Sequence, residues 1–181
     1  MIFQGDRKQI MRLAKNVSLL LLDVDGVMTD GRLYVGANGE ELKVFNSLDG
    51  HGIKLLQRSG VTVGIVSGRH SPSLLHRARE LDIELLYTGR EDKMAVLEEI
   101  IATRQIDSDQ IAYAGDDLPD LSLVRRVGLG ISVPGGHPEV RNIAELVTER
   151  GGGDGAVREI CDLLLQARDS YRQVVADSLR G

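Results

Sequence analysis

Residues 19–22 are four consecutive leucines, and the residue that follows them is Asp23. An unbroken apolar run has no solvent-facing side, so a strand made of it must be covered on both faces. That places it inside a sheet with helices above and below. The run then breaks into charge: "DVDGVMTDG" puts Asp23, Asp25 and Asp30 within eight residues. Carboxylates driven straight out of a core raise the question of what neutralises them.

The rest of the chain repeats the strand-then-helix rhythm. The spacing predicts a leading helix at 6–15, then strands at 18–23, 61–68, 83–89, 110–117, 127–133 and 144–148. Helices are predicted at 47–60, 71–82, 91–105, 118–127 and 136–144, with a long amphipathic helix at 154–178. Ser71 is the expected N-cap of the 71–82 helix, with Pro72 at its first position. Strands alternating with helices predict an α/β fold, a Rossmann-like three-layer α/β/α sandwich with a mainly parallel sheet. One segment departs from the rhythm. Residues 31–47 hold two short β-prone runs around "GANGEE", whose Asn38-Gly39 pair signals a tight turn, so a small inserted β-hairpin is expected there. We expect one domain over 1–181, with 154–181 as C-terminal helix and tail. The 181 residues can bury a sizeable core. With two Phe and no Trp, that core must be aliphatic.

Net charge is −5, which disfavours nucleic acid as a partner. Cys161 is the only cysteine, so no disulfide can form within the chain, as suits a reducing compartment. The first 16 residues lack the apolar stretch of a secretory signal, and no run reaches the ~18 apolar residues of a membrane span. The expected location is cytoplasmic, with no membrane partner. Cys161 is expected in the core, and His51, His70, His76 and His137, which lack ligand spacing, are expected to be structural or exposed.

In an open parallel sheet, ligands bind at the carboxyl ends of the strands. The residues at those ends are Asp23 and Asp25, then Ser67, Gly68 and Arg69, then Asp116 and Asp117, with Lys93 opening the helix after the third strand. Four carboxylates gathered there would repel one another unless a divalent cation sits among them. Hard oxygen donors without His or Cys point to Mg²⁺. Lys93 adds a positive charge, Ser67 a hydroxyl, and the turns "DVDG" and "VSGR" around Gly26 and Gly68 add backbone N–H donors. Together these describe a phosphoryl site. Asp23 is the expected nucleophile, and Asp25, two residues on, the acid/base. Asp120, four residues past Asp116, either supports Lys93 or complements a helix N-terminus. Arg69 is either a surface arginine or a partner for a substrate carboxylate. Thr29 and Asp30 either lead into the hairpin or contact substrate.

In order, "DVDG" at 23–26, Ser67 in "IVSGR", Lys93 in "GREDK" and "GDDLPD" at 115–120 resemble the four motifs of the haloacid dehalogenase superfamily. The resemblance covers roughly residues 17–150. Within it, "DVDGVMTDG", the hairpin, "DGHGIKLLQRSG", "VSGR" and "GGGDGAVREICDLLL" are similar to the small capless phosphatases acting on 3-deoxy-D-manno-octulosonate 8-phosphate. That likeness implies an Mg²⁺-dependent phosphatase of lipopolysaccharide precursor synthesis, working through an aspartyl-phosphate. It implies Asp23, Asp116 and the backbone carbonyl of Asp25 as metal ligands, and Asp117 in a supporting role. Lys93 and Ser67 would hold the phosphoryl group. It also implies a homotetramer built through the hairpins. His51, the run Pro134-Gly135-Gly136 and the glycine-rich 151–155 depart from the expected pattern. All three lie outside the four motifs.

Other readings remain at this level. A nine-carbon sugar acid phosphate is an alternative substrate. A signalling receiver domain uses similar residues but keeps its acidic pair first and its phosphorylated Asp after the third strand, the reverse of the order here. A catalytically silent oligomerisation module would have no need of all four motifs.

Overall fold

The computed structural model describes residues 1–39 and 41–180, and the side chains of all of these but Glu41. Its strands are β1 (Ile2–Phe3), β2 (Leu19–Leu22), β3 (Tyr34–Val35), β4 (Glu41–Leu42), β5 (Thr62–Ser67), β6 (Leu85–Thr88), β7 (Ile111–Ala114), β8 (Leu129–Ser132) and β9 (Leu146–Val147). Its helices are α1 (Arg7–Asn16), α2 (Ser47–Arg58), α3 (Pro72–Glu80), α4 (Lys93–Arg104), α5 (Leu121–Arg126), α6 (Pro138–Ile143), α7 (Ala156–Ala167) and α8 (Tyr171–Ser178). The main sheet runs β1-β9-β8-β7-β2-β5-β6. Every neighbouring pair in it is parallel except β1 with β9. This is the mainly parallel sheet that the alternating pattern predicts.

The four leucines form an interior strand, paired with β5 on one side and β7 on the other. Successive side chains of a strand point to opposite faces, and the core divides accordingly. Leu20 and Leu22 pack with Ile10 of α1, Ile53 and Leu56 of α2, Leu74 of α3 and Ile160 and Leu164 of α7. Leu19 and Leu21 pack with Val96, Leu97 and Ile100 of α4, Leu123 and Val124 of α5 and Val140 of α6. Burying each leucine contributes about 1.5–3 kcal/mol. A polar residue anywhere in this run would face a helix layer. Cys161 lies in the first of these clusters, fully buried, and burial pushes its thiol pKa well up.

Two elements differ from the sequence reading. β1 was not expected, because a two-residue strand carries no periodic signal. It pairs antiparallel at the sheet edge, Ile2 with Val147 and Phe3 with Leu146. The Met1 ammonium sits 2.6 Å from Glu149 and 2.7 Å from Glu159. The single helix expected at 154–178 is two helices, α7 and α8. Asp169 takes a left-handed conformation (φ 62°), while the N–H of Ser170 donates to Leu165 O (2.9 Å) and that of Asp169 to Gln166 O (3.1 Å). These paired bonds close α7 in a Schellman motif. Glycine usually holds the left-handed position, and an aspartate there left the stop hidden. The Asn38-Gly39 turn does connect an antiparallel pair, with Tyr34 opposite Leu42. Ser71 occupies the N-cap of α3, with Pro72 next, but its buried hydroxyl makes no capping bond.

The glycine-rich segment before α7 positions the loop after β2. The N–H of Gly153 donates to Val27 O at 3.2 Å, and the Asn46 side chain donates to Gly153 O at 3.2 Å. A Cβ on Gly152 would lie 1.8 Å from Gly26 O, so only glycine permits this backbone contact. Asp49 of α2 then accepts from the Arg158 N–H at 2.7 Å, supplying the cap that Gly155 cannot.

Candidate active site

The loop after β2 turns back on Val24 O, which accepts from the N–H groups of Met28 (2.9 Å) and Thr29 (3.0 Å). Thr29 Oγ1 also reaches Val24 O (3.3 Å), so Thr29 is part of the buried turn. Gly26 has φ 97°, and a Cβ there would lie 2.1 Å from Asp116 Oδ2. The missing side chain is what lets Asp116, arriving from the end of β7, stand against the β2 loop. Asp23, Asp116 and Asp120 bring one carboxylate oxygen each within 4.8 Å of one another. Asp116 Oδ1 is buried without a hydrogen-bond partner.

Lys93, the first residue of α4, lies buried against this cluster. Its Nζ is 2.9 Å from Asp23 Oδ1, 2.5 Å from Asp120 Oδ1 and 3.3 Å from the Tyr113 hydroxyl. A cation at a helix N-terminus opposes the helix dipole, and the two carboxylates overcome that misfit. Burial alone would lower the Lys93 pKa, but Asp23 and Asp120 outweigh it and hold the ammonium above its ordinary value.

Asp120 does both things left open by its spacing. Oδ1 meets Lys93 and accepts from the Tyr113 hydroxyl at 2.5 Å. Oδ2 accepts from the N–H groups of Asp116 (2.9 Å) and Asp117 (3.1 Å). Its lone pairs are thus committed to the protein, which marks it as a brace. Tyr113 was missed by sequence reasoning. A phenol in the middle of a buried strand needs a hydrogen-bond partner, and that requirement was the available signal.

The four expected carboxylates do not all gather. Asp117 is exposed and accepts from the Leu118 N–H at 2.8 Å, capping the turn at Leu118–Asp120; Asp116 is not a cap. The Asp25 side chain turns instead to Lys43, which forms an ion pair with its Oδ1, and to Arg69, whose Nε is 3.8 Å from its Oδ2. Lys43 was also missed, because no motif marks it. Ser67 is buried at the end of β5. Leu22 pairs with Ile65, so Asp23 and Ser67 leave adjacent strands at the same rim. The Arg69 N–H donates to Ser67 Oγ at 3.3 Å, and Gly68 between them is exposed. Asp30 accepts from the Arg32 N–H at 3.0 Å at the hairpin entrance.

Burial first, then the neighbouring carboxylates, raise Asp23 to about 6 and Asp116 to about 8. A folded-state pKa above the unfolded value of 3.8 means that the folded protein keeps protons the unfolded chain has lost. The stability this provides is complete below about pH 4 and is lost as pH rises through about 6 and about 8. A bound divalent cation replaces those protons. Mg²⁺ should therefore raise the thermal midpoint more at pH 8 than at pH 5.5. Equal shifts at the two pH values in a calorimetric comparison would contradict this account of the cluster.

The comparisons agree with the geometry. The family model of the haloacid dehalogenase-like hydrolases matches residues 86–160, and the chain belongs to that family. It is 47% identical over 160 residues to the 3-deoxy-D-manno-octulosonate 8-phosphate phosphatase KdsC of Yersinia pestis, covering 88% of this chain and 86% of that protein. The Escherichia coli K12 protein of the same name is 41% identical over 170 residues, covering 94% and 90%. A crystal structure of the Moraxella catarrhalis 3-deoxy-D-manno-octulosonate 8-phosphate phosphatase, with magnesium ion, phosphate ion and KDO, superposes with a TM-score of 0.94 at 38% identity. It covers 96% of this chain and 99% of that one.

Proposed function

We propose that this protein is an Mg²⁺-dependent phosphatase that hydrolyses 3-deoxy-D-manno-octulosonate 8-phosphate to the free sugar acid and phosphate, in lipopolysaccharide precursor synthesis. The observation that carries the reading is the rim itself. A buried Asp23 is held 2.9 Å from Lys93 beside Asp116, in a chain 47% identical to a phosphatase of that substrate.

In the first step an Asp23 carboxylate oxygen attacks phosphorus. The bond from phosphorus to the sugar oxygen breaks, and Asp25 gives its proton to that oxygen. In the second step Asp25 takes a proton from water. The water oxygen attacks phosphorus, the bond from Asp23 to phosphorus breaks, and inorganic phosphate leaves. Lys93 and the Ser67 hydroxyl orient the phosphoryl oxygens, with the N–H groups around Gly68 beside them. Arg69, half exposed beside Asp25, is placed to meet the substrate's carboxylate. Asp117 and Asp120 support the loop that carries Asp116.

The cofactor is Mg²⁺. The fit rests on hard oxygen donors and on the unpartnered Asp116 Oδ1. Asp23, Asp116 and the Asp25 backbone carbonyl would hold the ion, which when bound draws charge from the phosphoryl oxygens.

We read residues 1–181 as one domain working as a homotetramer in the cytoplasm. The exposed Leu33, Tyr34, Val35, Leu42 and Val44 crowd onto the hairpin, an apolar patch suited to burial against other copies. The lone cysteine supports a reducing compartment. Among the described residues no helix is long and apolar enough to cross a membrane.

The test is phosphate release from the eight-carbon substrate, with Mg²⁺ and with EDTA, beside a nine-carbon sugar acid phosphate and common sugar phosphates. Rapid, metal-dependent release from the eight-carbon ester is expected. Preference for the nine-carbon ester would reassign the substrate, and release unaffected by EDTA would remove the metal from the reading.

A further inference from the structure

The hairpin alternates between two jobs. Leu42 and Val44 point outward and are exposed, while Lys43 between them turns inward with its side chain 2% exposed. This is the period-two alternation of extended backbone. Removing an ammonium from water is expensive unless it is paired and hydrogen-bonded. The inward turn delivers Lys43 to Asp25 Oδ1. The Asp25 backbone is already fixed by the turn on Val24 O, so its side-chain torsions are what remain to be set. The Asp25 side chain is 23% exposed. Oδ2 lies 3.8 Å from the Arg69 Nε, and we take it as the oxygen for proton transfer.

We propose that Lys43 is a positioning residue for Asp25: the inserted hairpin reaches into the site and fixes the carboxyl that exchanges protons with the leaving oxygen and the attacking water. The proposal rests on the acid/base reading of Asp25. It gives the hairpin a part in turnover in addition to its apolar outer face. A misplacement of about 1 Å in such a group costs on the order of 10²-fold in rate.

The experiment compares Lys43→Met, Asp25→Asn and the double variant in the full chain with Mg²⁺. Steady-state kinetics would use the sugar acid phosphate and p-nitrophenyl phosphate, with acid quenching to trap phosphoenzyme. Lys43→Met should lower kcat on the sugar phosphate about 10²-fold with little change in KM. It should accumulate aspartyl-phosphate from p-nitrophenyl phosphate, whose leaving group needs no proton although the intermediate's hydrolysis still needs Asp25. Added to Asp25→Asn it should cost nothing further, because the two residues act as one unit. Lys43→Arg, which keeps the charge, should recover part of the rate, and Lys43→Gln replaces Lys43→Met if the latter fails to fold. A raised KM at unchanged kcat would make Lys43 a substrate ligand and overturn the proposal, as would losses that multiply in the double variant. Wild-type turnover by Asp25→Asn would instead overturn the acid/base reading, whatever Lys43→Met does.

Discussion

Asp23→Asn should yield a folded protein whose turnover falls by at least about 10⁴-fold, the scale on which removal of a nucleophile acts. The amide matches the carboxylate in size, so the packing at the end of β2 is undisturbed. Lys93 keeps Asp120 at 2.5 Å and can still donate to the amide oxygen. What disappears is the oxygen proposed to bond phosphorus. One of the mutually repelling carboxylates disappears as well, so the thermal midpoint of the metal-free variant should match or exceed wild type at pH 8. Phosphate release and a melting curve on the same sample check both parts. Turnover within about tenfold of wild type would place the nucleophile elsewhere.

Asp120→Ala should show the largest loss of stability, about 3–5 kcal/mol. Asp120 is 1% exposed. Its removal takes one of two carboxylates from the buried Lys93 ammonium, leaves the buried Tyr113 hydroxyl without its acceptor, and frees the part-buried N–H groups of Asp116 and Asp117. For a chain of this size that corresponds to a fall of roughly 6–20 °C in Tm. Asp117→Ala is the internal comparison. It deletes an exposed cap, in which Asp117 accepts from the Leu118 N–H and, in a capping box, from the Asp120 N–H, a loss of about 0.5–2 kcal/mol. Similar melting temperatures for the two variants would mean that Asp120 is not the brace of the site. Turnover by Asp120→Ala should fall too, because Lys93 loses one of the two carboxylates that hold its ammonium in place.

Much of this arrangement is legible in the chain because its physics is local. The run Leu19–Leu22 requires a two-faced sheet, and the strand-helix rhythm makes that sheet parallel. The carboxyl ends of parallel strands share one rim, so the order of strands and helices along the chain already places Asp23, Ser67 and Asp116 together. Lys93 was placed at the opening of the helix after the third strand, and α4 does begin there, with Asp92 accepting from the Ala95 N–H as its cap. Where the reading missed, the signal was absent or lay elsewhere in the chain. β1 is too short to show a period. The stop after α7 uses an aspartate where glycine is the usual marker.

The amino-acid sequence by itself determined the layers, the rim and the identity of the chemistry, since strand period, helix period and residue type need only neighbours along the chain. The tertiary structure decided which carboxylates share a site and which do not. Asp120 joins Asp23 and Asp116, while Asp25 goes to Lys43, a residue 18 positions away. Those pairings are set by long-range Coulomb attraction and by the cost of burying an unpaired charge, and both depend on distances that exist only once the chain has folded.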